Sequence, residues 1–153
     1  MNRITGRFLS LLLAPGLLLA QSKEETMKYI IDELRSLESN SYTIREIYFS
    51  PSGDTFGFKR GRSGMSDKGT IIPLDRVDIY PVTVHRATGI DYLNLMVRSR
   101  GKDGDFLANG IRAKGVRPLI GKIEDERKVK ALARAFNHLI QLVTGRKDLF
   151  PVP

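Results

Sequence analysis

Apolar and polar residues recur with two different periods along this chain, and the change of period marks out its elements. From Lys23 to Ser39 (KEETMKYIIDELRSLES), Met27, Ile30, Ile31, Leu34 and Leu37 stand three or four positions apart or side by side on one stripe. That spacing lines them on one face of a helix. Glu24 and Glu25 lie at its start, where the helix dipole favours acids, and Glu24 with Lys28 makes an i,i+4 pair. Ser22 and Glu25 have the spacing of a capping box, which forms only if Ser22 stays in the folded chain. The polar run Ser39-Asn40-Ser41 predicts the end of the helix.

Beyond it the period shortens. Tyr42 to Phe49 (YTIREIYF) is rich in β-branched and aromatic residues, Pro51-Ser52-Gly53-Asp54 is turn-forming, and Thr55 to Arg60 follows, which predicts a hairpin. Gly61 to Gly69 is a loop, and Thr70 to Leu74 is a short strand whose Pro73 belongs at an edge or a strand end. Asp75 to Asp78 reads as a connector, Tyr80 to Arg86 (YPVTVHR) as a strand, and Ile90 to Arg98 as another with a bulge near Tyr92-Leu93. Lys102 to Asp105 is a turn, and Phe106–Ile111 and Val116–Ile123 are the last strands, separated by Arg112 to Gly115. About seven short strands at regular spacing predict a sandwich or small barrel.

Asp125 to Thr144 carries Val129, Leu132, Ala133, Phe136, Leu139, Ile140 and Val143 on one face, with Asp125 as cap and Gly145 where a C′ glycine belongs. A single apolar stripe needs a single partner surface, which a curved sheet or an open barrel mouth supplies. The expected fold is α+β: an antiparallel barrel or sandwich, an N-terminal helix at its side and a long amphipathic C-terminal helix plugging it. Residues 23–145 form one domain, and residues 146–153 are a short proline-bearing tail.

Two stretches, Thr70 to Asp78 (TIIPLDRVD) and Glu126 to Val143, together with the order of elements, resemble the pleckstrin-homology-like (PH-like) barrel. The chain is similar in this respect to small secreted bacterial proteins of unknown function with that architecture. The resemblance implies a fold and a compartment and supplies no catalytic residues, and fold does not fix function.

Residues 1–22 read as a secretory signal peptide. Arg3 and Arg7 give the basic n-region, and Phe8 to Ala20 is a 13-residue apolar run, short of the roughly 20 residues that span a bilayer. Ala20-Gln21-Ser22 gives the small-x-small pattern for cutting after Ser22; cutting after Ala20 is the alternative, with Leu18 a weaker fit at the outer position. The chain has no cysteine, which removes disulfides, thiolate metal sites and lipoprotein anchoring. The expected location is periplasmic or extracellular.

Among 153 residues, 25 Lys and Arg face 17 Asp and Glu, a net charge of +8. Without residues 1–20, 23 basic and 17 acidic side chains remain. The excess sits between strands: residues 59–68 carry Lys59, Arg60, Arg62 and Lys68 against Asp67, and residues 98–117 carry Arg98, Arg100, Lys102, Arg112, Lys114 and Arg117 against Asp103 and Asp105. If these loops gather at one end of the sheet, they make an anion-attracting patch. The candidate binding residues are Lys59, Arg60, Arg62, Lys68, Arg98, Arg100, Arg112 and Lys114. Arg62, Arg100 and Arg112 lead, since guanidinium holds phosphate or carboxylate bidentately.

Other chemistry is weakly signalled. His85 and His138 read as solvated outer-face residues with no nucleophile beside them. Asp103-Gly104-Asp105 opens like a calcium loop, but Leu107 breaks the ligand pattern, and a β-turn explains it. Gly110 and Gly115 have phosphate-loop spacing, with Val116 where lysine is required. No cofactor is implied.

The expected function is therefore an exported, non-enzymatic binding module for anionic lipid, polysaccharide or an acidic partner. The alternative is an accessory interaction subunit of the cell envelope, docking by a strand edge near Pro73 or by the acidic first helix. A small hydrolase ranks third, and export disfavours nucleic acid.

Overall fold

The computed structural model describes residues 21–37, 43–61, 68–85, 88–89, 91–102, 104–149 and 151–152. Residues 1–20, on which the expected signal peptide falls, residues 38–42, on which the expected helix end falls, and residues 62–67, with Arg62, lie outside the described residues.

The first helix, α1, spans Lys23–Ser36. Its N-terminus is closed by the capping box that the sequence spacing predicts. The Glu25 amide donates to Ser22 Oγ at 3.2 Å and the Ser22 amide to Glu25 Oε2 at 2.8 Å, which satisfies two amides that the first turn leaves without helical partners. Thr26, Ile30 and Leu34 turn inward, and the helix packs on the C-terminal helix and the first strand.

Eight strands follow: β1 (Thr43–Phe49), β2 (Thr55–Gly61), β3 (Thr70–Pro73), β4 (Val77–Val84), β5 (Tyr92–Ser99), β6 (Phe106–Ala108), β7 (Ile111–Ala113) and β8 (Val116–Ile123). They form two antiparallel sheets, one in the order β1-β2-β3-β6-β7 and one in the order β4-β5-β8. A short 3-10 turn, Leu74–Arg76, carries the chain directly from β3 in the first sheet to β4 in the second. No ladder among the described residues joins the sheets, so the barrel expected from the strand spacing is not closed.

The strand count corrects the sequence reading in one place. Phe106–Ile111 is not one strand but the hairpin β6–β7, with Ala108 opposite Ile111. Asn109 and Gly110 sit between them at φ 51° and 74°. Two successive left-handed residues match the twist of the flanking strands, and Asn-Gly is the preferred pair for such a turn. The stretch 75–78, read as a connector, also yields to the 3-10 turn and the start of β4. Ladder irregularities occur between Leu93 and Met96 where β5 meets β8, just past the expected bulge, and between Arg45 and Tyr48 in β1.

The C-terminal helix, α2, spans Glu126–Thr144. Asp125 caps it by accepting from the Lys128 amide at 3.2 Å, and Gly145 ends it at φ 69°. Val129, Leu132, Ala133, Phe136, Leu139 and Ile140 are fully buried, against β4, β5, the 3-10 turn and α1. Phe136 also meets Phe56 of β2 edge-on, ring centres 5.1 Å apart, so one helix face touches both sheets. Burying each such aliphatic or aromatic side chain contributes roughly 1.5–3 kcal/mol. All the buried apolar residues form one core cluster.

His138 departs from expectation. It is 9% exposed because the segment leading into α1 lies over it: His138 Nε2 is 3.2 Å from the Gln21 carbonyl oxygen.

Candidate binding surface

Of the eight candidate cations, Arg62 lies outside the described residues; the other seven are held by different local constraints.

On β2, residues alternate between the core and the outer face. Phe56 and Phe58 point inward, so Lys59 falls on the outer face, opposite Arg45. Its ammonium pairs with Glu46 at 2.7 Å. Arg60 turns toward the second sheet. Its guanidinium lies 5.5 Å from the centre of the Phe58 ring and donates to the carbonyls of Leu119 and Pro118 of β8. Arg60 thus ties the two sheets together, a structural task that leaves it poorly placed for a ligand.

Arg98 and Arg100 flank a shallow open depression of about 410 Å³, lined by Asp78, Arg98, Ser99, Arg100, Asp148, Leu149 and Pro151. Arg98 Nη2 is 2.7 Å from Asp78 Oδ2 and its Nε 3.2 Å from the same oxygen, and Arg100 is paired with Asp148. An anion entering the depression competes with both carboxylates. Asp148 is held below the usual carboxylate range, chiefly by its hydrogen bond from Arg100, which keeps the competitor ionised. The exposed Arg100–Asp148 pair is weak by nature, whereas Asp78 is buried and also receives Arg146 at 2.6 Å.

Lys68, Arg112 and Lys114 are different. They are exposed, and no ion pair involves them among the described residues. Arg112 lies on the β6–β7 hairpin, and Lys68 is bonded to its turn. The Lys68 amide donates to Asn109 Oδ1 at 2.9 Å, and the Gly110 amide to the Gly69 carbonyl at 2.9 Å. This stitches one end of the 59–68 stretch to the hairpin tip. Arg112 faces Leu107 across the ladder, and Lys114 follows the end of β7. Two aliphatic side chains of the same stretch of chain are also exposed, Ile111 on β7 at 72% and Val116 at the start of β8 at 47%. Neither is singled out by the sequence pattern, in which Ile111 closes the strand Phe106–Ile111 and Val116 opens the next. The signal that would have found Ile111 is Asn109-Gly110, which puts it immediately after a turn.

His85 is exposed, as expected, with Nδ1 3.0 Å from Asp91 Oδ2. Among the described residues no group of three or more His, Asp or Glu is placed to hold a metal, and no helix is long and apolar enough to cross a membrane. Asp103 lies outside the described residues. Its partner in the calcium-like pattern, Asp105, accepts from the Ser99 hydroxyl and the Gly101 amide, the bonds of a turn. Tyr29 is pushed up to about 12, first by burial and then by Glu33, so it stays protonated across the physiological range.

The surfaces of the alternative reading are also altered. β3 is bonded by β2 on one side and β6 on the other, so Pro73 marks a strand end and not an open edge. The acids of α1 have partners: Glu25 in the capping box, Asp32 with Lys28, Glu24 with Lys23, and Glu33 with Lys128 of α2.

Comparison of the chain with family models, curated proteins and solved structures finds no match.

Proposed function

We propose that this protein is an exported, non-enzymatic binding module that contacts an anionic lipid surface through the β6–β7 hairpin, on an open variant of the PH-like architecture. The observation that carries the reading is that Lys68, bonded to the hairpin turn, Arg112 and Lys114 are exposed without ion pairs among the described residues, on a stretch of chain that also exposes Ile111 and Val116. Cations attract a negatively charged membrane, at about 1 kcal/mol for each Lys or Arg near the surface. Exposed aliphatics add burial at the headgroup boundary. A polysaccharide uses the charges but leaves Ile111 and Val116 in water, so the combination favours lipid. The PH-like reading is supported by the order of elements and by one amphipathic C-terminal helix packed against both sheets. Export is supported by Arg3, Arg7 and the short apolar run to Ala20.

Vesicle co-sedimentation tests the function. Binding is expected to phosphatidylglycerol-containing vesicles and not to phosphatidylcholine alone, to weaken as salt rises, and to be lost in the Arg112→Glu/Lys114→Glu double variant. Ile111→Ser weakens binding at low and high salt alike. Equal binding of the double variant overturns the hairpin assignment. Retention on an acidic polysaccharide without vesicle binding overturns the lipid assignment.

A further inference from the structure

The start of the folded domain carries an inference about how the chain is processed. We infer that signal peptidase cuts between Ala20 and Gln21, so that the mature protein begins at Gln21; this rests on the reading of the N-terminal segment as a cleaved export leader. Water adds across that peptide bond. Ala20 leaves as a carboxylate, and Gln21 keeps the nitrogen as an α-ammonium.

The small-x-small pattern of Ala20-Gln21-Ser22 by itself favours a cut after Ser22. The fold opposes that cut at five hydrogen bonds. The Ser22 amide donates to Glu25 Oε2 at 2.8 Å, and Ser22 Oγ accepts from the Glu25 amide at 3.2 Å. The Ser22 carbonyl accepts twice from Thr26, from its amide at 3.0 Å and its hydroxyl at 2.8 Å. The Gln21 carbonyl oxygen lies 3.2 Å from His138 Nε2. Thr26 is fully buried and His138 nearly so, so water is poorly placed to replace Ser22 and Gln21 as acceptors, and a buried donor without a partner is costly.

A cut after Ser22 removes all five bonds at once. It also leaves a new α-ammonium on Lys23, the first residue of α1, beside the ammonium of its own side chain. The helix dipole is positive there. A cut after Ala20 keeps the cap, the Thr26 bonds and the His138 contact. It satisfies the protease with a small residue at the cut, Leu18 being the weaker feature.

The test uses the full chain with a C-terminal tag, produced in a bacterium with its export machinery, and the N-terminal peptide identified by mass spectrometry. The expected peptide starts at Gln21, either intact or cyclised with loss of ammonia. A peptide starting at Lys23 overturns the inference while leaving export standing. A peptide starting at Met1 or Asn2 overturns the export reading, and the cut with it. One variant separates the sites independently of folding when processing is followed in newly made chains. Ser22→Leu is expected to be processed as the natural sequence is, because position 22 then lies beyond the cut. Blocked processing of Ser22→Leu overturns the inference.

Discussion

Arg146 Nη2 lies 2.6 Å from Asp78 Oδ1, joining the first residue past the α2 cap to a carboxylate buried in β4. The same guanidinium donates to the Val77 carbonyl at 2.7 Å, and its side chain is only 12% exposed. Asp78 keeps a second partner in Arg98, which is far more open to water. Arg146→Ala therefore leaves a buried carboxylate half-satisfied and two or more acceptors without donors. It is expected to lower stability by about 2–4 kcal/mol. Arg98→Ala, at the solvated end of the same cluster, costs about 1 kcal/mol or less. Urea unfolding of the two variants distinguishes them; equal losses mean that the ion cluster is not organised around Arg146.

Gly57 exists to seat Tyr48. A Cβ at position 57 runs into the Tyr48 ring, which covers it from the neighbouring strand. Gly57→Ala is expected to destabilise by about 1–3 kcal/mol as the ring is displaced. In the Tyr48→Ala background the sign reverses, since alanine is better than glycine in a strand by about 0.5–1 kcal/mol once nothing occupies the space. A double-mutant cycle measured by thermal or urea unfolding reads this coupling directly. Additive effects would mean that the ring does not rest on Gly57.

Both helices were legible in the sequence because period and caps agree. Ser22 with Glu25, and Asp125 with Gly145, bracket stripes that are buried as their spacing requires. The strands were legible where β-branched residues run between turn residues, as in β1, β2 and β8. The β6–β7 hairpin was not, because three-residue strands are too short to show a period, and only the Asn109-Gly110 pair signals them. His138 was placed on the solvated face because its cover comes from Gln21, 117 positions away in the chain. For the candidate cations, the charge of Arg60 or Arg98 is legible in the sequence, but not the carbonyl or carboxylate that each one meets.

Three carboxylates tie stability to pH. Asp54 is held below the usual range first by the Ser52 hydroxyl, then by Ser50; Asp105 first by the Ser99 hydroxyl, then by the Gly101 amide; Asp148 first by the Arg100 guanidinium. A carboxylate whose folded value lies below its unfolded value, about 3.9, stabilises the fold above that value. The contribution is lost as pH falls through the folded value. The urea midpoint is therefore expected to be level from neutral pH down to about 5 and to drop below about 4. Asp105→Asn lowers the midpoint at neutral pH and makes the acid fall shallower. An unchanged acid slope in that variant would show that Asp105 is not among the groups responsible.

Gly110 links the stability of the hairpin to the proposed surface. Its φ of 74° is left-handed, and an added Cβ would stand 2.8 Å from Lys68 Cβ and 3.1 Å from Lys68 Cδ. Gly145 has nearly the same backbone, φ 69°, but nothing within 4 Å of the corresponding position. Both alanine substitutions carry the left-handed penalty of about 1–2 kcal/mol. Only Gly110→Ala also pushes Lys68 away from the hairpin. The two variants should then lose similar stability in urea unfolding, with somewhat more lost at Gly110. Vesicle binding should fall in Gly110→Ala and hold in Gly145→Ala at matched temperature. If both bind like the natural sequence, Lys68 does not belong to the contact surface. If both bind less, the loss reflects unfolding in general and the position of Lys68 over the turn is irrelevant to it.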